Sequence, residues 1–245
     1  MEAPDGPATE ARDTKDRILD VAEGLFGDHG YAATSLRTVT SQAGVNLAAV
    51  HYHFGSKIGL FEAVFHRRVD AVNVERLERL DALEAAGDGP PELEDLLEAF
   101  LAPAFCQAAA EDPTFPRFLR FLGRVMSETG EHVQAMRGVF RSVQLRFFPA
   151  FQRSLPHLTE ADVFWRIHFL VGAMCNLMSD PTRISVLSEG RCDGADPRQT
   201  VRQLIGFAAG GLRAPAVPTE TTTDSRIPEN PDAHAASSSQ RDRPR

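Results

Sequence analysis

Apolar residues recur along this chain at helical spacing almost from end to end. Ile18, Val21, Ala22 and Leu25 share one face of a segment over 14–29, which Thr14 can cap and Gly30 can end. Leu36, Val39 and Ala43 mark a short helix over 35–43 that stops at Gly44, and Asn46 opens another over 47–53. Ser56 opens a long helix over 56–86, closed by Gly87 ahead of Pro90 and Pro91. Leu93, Leu96, Leu97 and Phe100 continue the pattern over 92–110, and Phe118, Phe121, Leu122 and Val125 over 115–128. Steps of three and four run through Val133, Met136, Phe140, Val143 and Phe147 in 131–153. They run again through Val163, Ile167, Leu170, Met174 and Leu177 in 160–179, and Val201, Leu204, Ile205 and Ala208 close the series in 198–212. No segment sustains a period of two, so no strand is expected, and no internal repeat is visible. The expected fold class is all-α: three short N-terminal helices, then a bundle of longer ones.

The two ends break the pattern. Residues 1–13 are polar, and residues 214–245 combine five prolines with threonine and serine runs and carry no aromatic residue. Such segments cannot bury enough apolar surface to offset chain entropy, so both are expected to be disordered around an ordered body over 14–213. The first residues lack the basic and apolar regions of a secretory signal, and no stretch matches a membrane span, so a cytoplasmic location is expected. Cys106, Cys175 and Cys192 lie far apart, which disfavours a zinc ribbon or a disulfide framework.

Function is most legible between Thr34 and Lys57, TSLRTVTSQAGVNLAAVHYHFGSK. Two short helices flank Ala43-Gly44-Val45, where glycine supplies the turn. Val39, Ala43, Val45 and Val50 are placed to pack, while Leu47, Ala48, His51 and Tyr52 are placed to be exposed. That is a helix-turn-helix, whose second helix enters the major groove through its N-terminal residues. The formal charge of -8 argues against nucleic acid only if it is spread evenly. Between Tyr31 and Arg68 it is not: Arg37, Lys57, Arg67 and Arg68 face a single acid, Glu62, for a net +3.

These residues resemble the DNA-binding half of the TetR family of one-component repressors. The resemblance rests on Phe26, Gly30-Tyr31, Thr34-Ser35-Leu36-Arg37, Ala43-Gly44-Val45, Tyr52-His53-Phe54 and Ser56-Lys57, within about residues 14–60. Thr40 and His51 depart from the family, which prefers Ala and Tyr there. The resemblance implies phosphate binding by Ser35, Thr38, Tyr52, His53 and Lys57, with Arg37 also at the backbone. It implies that Leu47, Ala48, Ala49 and His51 face the groove, the apolar ones against thymine methyls and His51 donating to a purine edge.

Residues 61–213 are expected to bind an effector and to dimerise. Eleven of the sixteen phenylalanines lie between Phe100 and Phe169. A narrower resemblance, through the helix-turn-helix and FWRIHFLVGA at Phe164–Ala173, is to PsrA-type members, associated with long-chain fatty acids or their acyl derivatives. Phe105, Phe118, Phe121, Phe140, Phe147, Trp165 and Phe169 are the candidates to line a tunnel, though a Phe stripe at helical spacing also reads as core. Arg120, Arg124, Arg166 and His168 are the candidates for an acidic head. Gly172 and Ala173, with Gly206, Ala208, Ala209, Gly210 and Gly211, make the last two long helices a candidate homodimer face.

Catalytic chemistry is not in view. His51 and His53 point about 200° apart on a helix and cannot share a metal. There is no HExxH, GxSxG, GxGxxG or phosphate-binding loop. No enzyme activity, metal or cofactor is expected. The expectation is a ligand-responsive transcriptional regulator, a repressor freed from a palindromic operator on double-stranded DNA by a fatty acid or acyl-CoA. The alternatives are the same class with a drug-like hydrophobic effector, or an acyl-binding carrier whose helix-turn-helix is vestigial.

Overall fold

A computed structural model describes residues 7–107, 115–126 and 129–217, and among these there is helix and no strand. Among the described residues, eleven α-helices follow one another. They are α1 Pro7–Ala33, α2 Leu36–Ala43, α3 Leu47–Phe54, α4 Lys57–Ala85, α5 Leu93–Ala102, α6 Phe115–Met126, α7 Glu131–Val139, α8 Arg141–Ser154, α9 Glu160–Ser179, α10 Arg183–Leu187 and α11 Pro197–Arg213. A π-helical turn, Pro103–Gln107, continues α5. The caps foreseen at Ser35, Asn46 and Ser56 are present, each accepting a backbone N–H three residues on. Thr159 and Asp162 close a reciprocal capping box on α9.

Several boundaries differ from expectation. Helix α1 starts at Pro7, not at Thr14, and breaks at Gly30, where φ is 79°. The single helix expected over 131–153 is two, α7 and α8, joined at Phe140 with φ -94° and ψ -1°. Phe140 keeps the apolar spacing in step on both sides, so periodicity cannot see the break. Its consequence is chemical: the Val139 carbonyl at the end of α7 accepts from Asn73 Nδ2 of α4 at 2.9 Å. The short helix α10 carries no buried residue, so it leaves no apolar pattern to read. Of the segments expected to be disordered, 1–13 and 214–245, residues 7–13 instead form the first turns of α1, and residues 1–6 and 218–245 lie outside the described residues. No described helix is long and apolar enough to cross a membrane.

One apolar core runs from Ile18 and Phe26 of α1 through Leu60, Phe61, Val64 and Phe65 of α4 into the bundle. The two halves are therefore not separate units joined by a linker. Helix α4 belongs to both. A charged clamp adds to this join: Glu23 of α1 accepts from Arg67 at 2.6 Å and from Arg68 at 2.7 Å, and Arg67 reaches Asp20 at 2.7 Å. Glu23 is nearly buried, so these are charge-assisted bonds in a poorly hydrated place.

At its far end the bundle is tied by Arg166 of α9. Its guanidinium donates to the carbonyls of Gly211 and Leu212 in the last turn of α11 and of Ala214 and Pro215 just beyond it. This corrects the expectation that Arg166 meets a ligand head, since its donors are engaged. Arg213 of α11 also pairs with Glu94 of α5.

Helices α6 and α9 cross at Gly123. A Cβ there would lie 2.7 Å from both the Cys175 carbonyl oxygen and the Ser179 nitrogen. Those are backbone atoms of a capped helix and cannot retreat cheaply. Gly123→Ala is expected to lower stability by about 1–3 kcal/mol in denaturant titration; an unchanged midpoint would mean that the two helices do not approach this closely.

Candidate nucleic-acid interface and ligand cavity

The turn between α2 and α3 is set by Gly44, which adopts φ 65° and ψ 36°, a left-handed conformation costly for a residue with a Cβ. Its N–H closes back on the Thr40 carbonyl. Asn46 then starts α3, and Val50, wholly buried, fixes which side of α3 faces inward. The opposite side carries Leu47, Ala48, His51 and Tyr52, and Tyr52 is 84% exposed. An exposed tyrosine ring beside an exposed leucine on one short helix is unusual for a free surface.

Ser35, Arg37 and Thr38 are exposed at the start of α2, with Ser35 Oγ 2.8 Å from Thr38 Oγ1. Lys57 begins α4 and holds its ammonium 4.2 Å from the centre of the Tyr31 ring, and partial burial lowers its pKa. His53 is half-buried between the rings of Tyr52 and Phe54. Ala49 is half-buried against the core beside Val50. The hydrogen-bonding chemistry open to His51 is set by one contact. Its Nδ1 lies 2.8 Å from the Gly55 carbonyl oxygen, which can only accept, so Nδ1 carries the proton. In the neutral ring Nε2 is then an acceptor, suited to the amino group of adenine or cytosine and not to a purine acceptor. Arg67 and Arg68 are engaged by Glu23, so Arg37 and Lys57 are what remains of the local positive charge near α3.

The bundle holds a cavity of about 850 Å³ between α4, α5, α6, α7, α8 and α9. Phe100, Phe118, Phe140, Phe147, Phe148, Phe151 and Phe164 contribute to its wall, with Met126, Met136, Met174 and Met178. Size and lining match a site for a small apolar molecule, and flexible methionines allow the wall to adapt. The polar lining is sparse: Arg137, Gln144, Glu160 and His168 are exposed, whereas Arg76 is 3% exposed. Cys175 also lines it, and burial pushes its thiol up to about 11, so it stays protonated at neutral pH.

Of the expected ligand residues, Phe118, Phe140, Phe147 and His168 line this cavity. Phe105 and Phe121 are buried outside it. Trp165 and Phe169 point outward, 61% and 63% exposed, because α9 turns its cavity side through Phe164, Ile167, His168 and Val171 instead. The side chains of Arg120 and Arg124 lie outside the described residues. Arg76 is a functional candidate that carries a signal in the sequence. Val69, Val72, Arg76 and Leu80 follow at helical steps, so a charged residue sits on the apolar stripe of α4.

Aromatic contacts connect the cavity wall with the base of the helix-turn-helix. Phe118 meets Phe65 at 5.6 Å, Phe65 meets Phe61 at 4.7 Å, Phe61 meets Tyr31 at 5.0 Å, and Tyr31 carries Lys57. Phe26 and Phe121 pack into the same cluster, and His132 of α7 stacks on Tyr31 at 4.5 Å.

A capped, exposed second helix on a helix-turn-helix, continuous with a hollow helical bundle, defines a class of all-α proteins with an N-terminal helix-turn-helix. Comparison with known sequences gives the family. The family model for bacterial regulatory proteins of the tetR family matches residues 18–64, and that for the tetracyclin repressor-like C-terminal domain matches residues 98–211. The two match in order without overlap, and the chain belongs to the TetR family. It is 34% identical over 88 residues to the HTH-type transcriptional regulator AcrR of Shigella flexneri, covering 36% of this chain and 40% of AcrR. The curated relatives it resembles are matched over less than half of their own length. Among solved structures, the fold is similar to the fatty acid degradation regulator FadR of Bacillus halodurans, with TM-score 0.57, 16% identity, and coverage of 81% of this chain and 99% of that one. It is also similar to NalD of Pseudomonas aeruginosa, the secondary repressor of the MexAB-OprM multidrug efflux pump, with TM-score 0.58, 21% identity, and coverage of 83% and 97%.

The cavity makes a chemical prediction. At about pH 8, iodoacetamide is expected to alkylate exposed Cys192 at least tenfold faster than Cys175, with Cys175 labelling rising as pH approaches 11. Peptide mass spectrometry reads both sites, and equal rates at pH 8 would contradict the burial of Cys175.

Proposed function

We propose that this chain is a ligand-responsive transcriptional regulator. As a homodimer it binds a palindromic operator and is released by a hydrophobic effector such as a long-chain fatty acid, the reading also favoured by the PsrA-type resemblance. The observation that carries the proposal is the union of two features on one helix. Helix α4 starts at Lys57 beside the exposed face of α3 and forms part of the cavity wall at Val69, Val72 and Arg76. A ligand that favours one arrangement of the wall therefore favours one placement of α3 relative to the bundle.

On DNA, Leu47, Ala48 and His51 meet base edges, and Ser35, Arg37, Thr38, Tyr52, His53 and Lys57 meet phosphates. Two copies join through α9 and α11. In support of that face, Trp165, Phe169 and Phe207 are large, apolar and exposed, and exposed Gly172, Gly206 and Gly210 permit close helix approach. Two copies of α3 then face half-sites about one DNA turn apart. Coupling of about 2 kcal/mol between effector and operator changes occupancy roughly thirtyfold. The cavity accommodates an alkyl chain, whose burial contributes about 0.8 kcal/mol per methylene. The acyl-carrier reading is less well supported, because the caps and exposure of α3 are intact.

The experiment is a gel shift of the chain's own upstream DNA, run with free fatty acids, acyl-CoAs and drug-like hydrophobes. Wild-type protein should retard the fragment, with affinity falling steeply as salt rises. The Tyr52→Ala, Lys57→Ala double variant should bind at least tenfold more weakly while keeping its helical signal and melting temperature. Undiminished DNA affinity in that variant, or affinity indifferent to salt, would remove the DNA-binding assignment of α3.

A further inference from the structure

The cavity contains one feature that an apolar ligand alone does not explain. Arg76 is almost fully buried, yet no carboxylate among the described residues pairs with it. Its Nε donates to the Phe100 carbonyl at 2.8 Å, and Nη1 donates to Asn73 Oδ1 at 3.2 Å. The guanidinium lies 4.8 Å from the centre of the Phe100 ring. Nη2 donates to none of the described residues, and it is not sealed among protein atoms either. Arg76 itself lines the cavity. Burial pushes the group down to about 10, so it stays cationic at neutral pH. A buried cation with neutral partners alone is costly, and an anion is what relieves it.

We infer that the effector is a hydrophobic carboxylic acid bound as the free acid, with its carboxylate inside the cavity against Arg76 and its apolar body among the phenylalanines and methionines. This rests on the reading of the cavity as the effector site. It names the ligand class, because the anionic end is held inside the bundle. An acyl-CoA carries its anionic groups on a bulky nucleotide that an apolar interior does not accept, and its thioester brings no charge to Arg76.

The same contact says how binding is felt. Asn73 and Arg76 together tie α4 to its neighbours: Arg76 to the last turn of α5 through Phe100, Asn73 to the end of α7 through Val139. A carboxylate on Nη2 adds a charge-assisted partner to a group that α4 now shares with neutral ones. The three bonds then readjust around the ligand, and α4 shifts against α5 and α7.

The test compares straight-chain acids from octanoate to hexadecanoate with the matching primary alcohols, by calorimetry on the full chain. Wild-type protein should bind the best acid at least tenfold more tightly than its alcohol. In Arg76→Met the acid should lose that advantage while the alcohol still binds, and Arg76→Lys should restore part of it. Should the Met variant fail to fold, the acid-to-alcohol ratio in wild type decides alone. Equal affinity for acid and alcohol in wild type would overturn the role of Arg76 and leave the hydrophobic effector standing. Binding of neither series would overturn the effector reading of the cavity and this assignment together, and acyl-CoA binding more tightly than the free acid would overturn the assignment alone.

Discussion

The unbroken helix from Lys57 to Ala85 is the constraint on which the rest depends. Backbone hydrogen bonds along α4 leave no soft joint between the turn that carries Lys57 and the turn that carries Arg76, 19 residues later, about 28 Å along the axis. The helix-turn-helix cannot be repositioned independently of this rod. Glu23 clamps α1 to it through Arg67 and Arg68, and Phe26, Phe61 and Phe65 fill the space between. The orientation of α3 is thus inherited from α4, and the orientation of α4 is set in part by the walls of a cavity.

Eleven of the sixteen phenylalanines fall into two populations with different work. Phe26, Phe61, Phe65 and Phe121 make a solid aromatic joint between the two halves, with edge and tilted contacts that resist sliding. Phe100, Phe118, Phe140, Phe147, Phe148, Phe151 and Phe164 surround empty volume. Phe118 touches both groups, through Phe65 on one side and the cavity on the other. Rings without polar atoms suit both tasks, since neither a sealed joint nor an apolar cavity supplies a partner for a hydroxyl.

The fold was largely legible because its signals are local. Ser35, Gly44, Asn46 and Ser56 act within three or four residues of themselves, so their spacing foretold three helices and the turn between them. The break at Phe140 was not legible, since a helix and two stacked helices in step present the same apolar spacing. The site was legible where exposure follows from a short helix packed on one side, as for Leu47, Ala48 and Tyr52. It was not where a side chain's role depends on a partner distant in sequence. Arg166 looked available for a ligand and is spent on α11; Arg67 and Arg68 looked available for DNA and are engaged with Glu23. Arg76 passed as one charge among many until its burial was known.

The central claim is that cavity and recognition helix share one equilibrium through α4. Linkage makes it directly measurable: the affinity of a straight-chain acid is determined by calorimetry for the free protein and for the same protein saturated with a DNA fragment from its own upstream region. Bound DNA is expected to weaken the acid by the same factor by which the acid weakens DNA binding, of order tenfold or more. Acid affinity that is identical with and without bound DNA would contradict it, whatever else binds in the cavity.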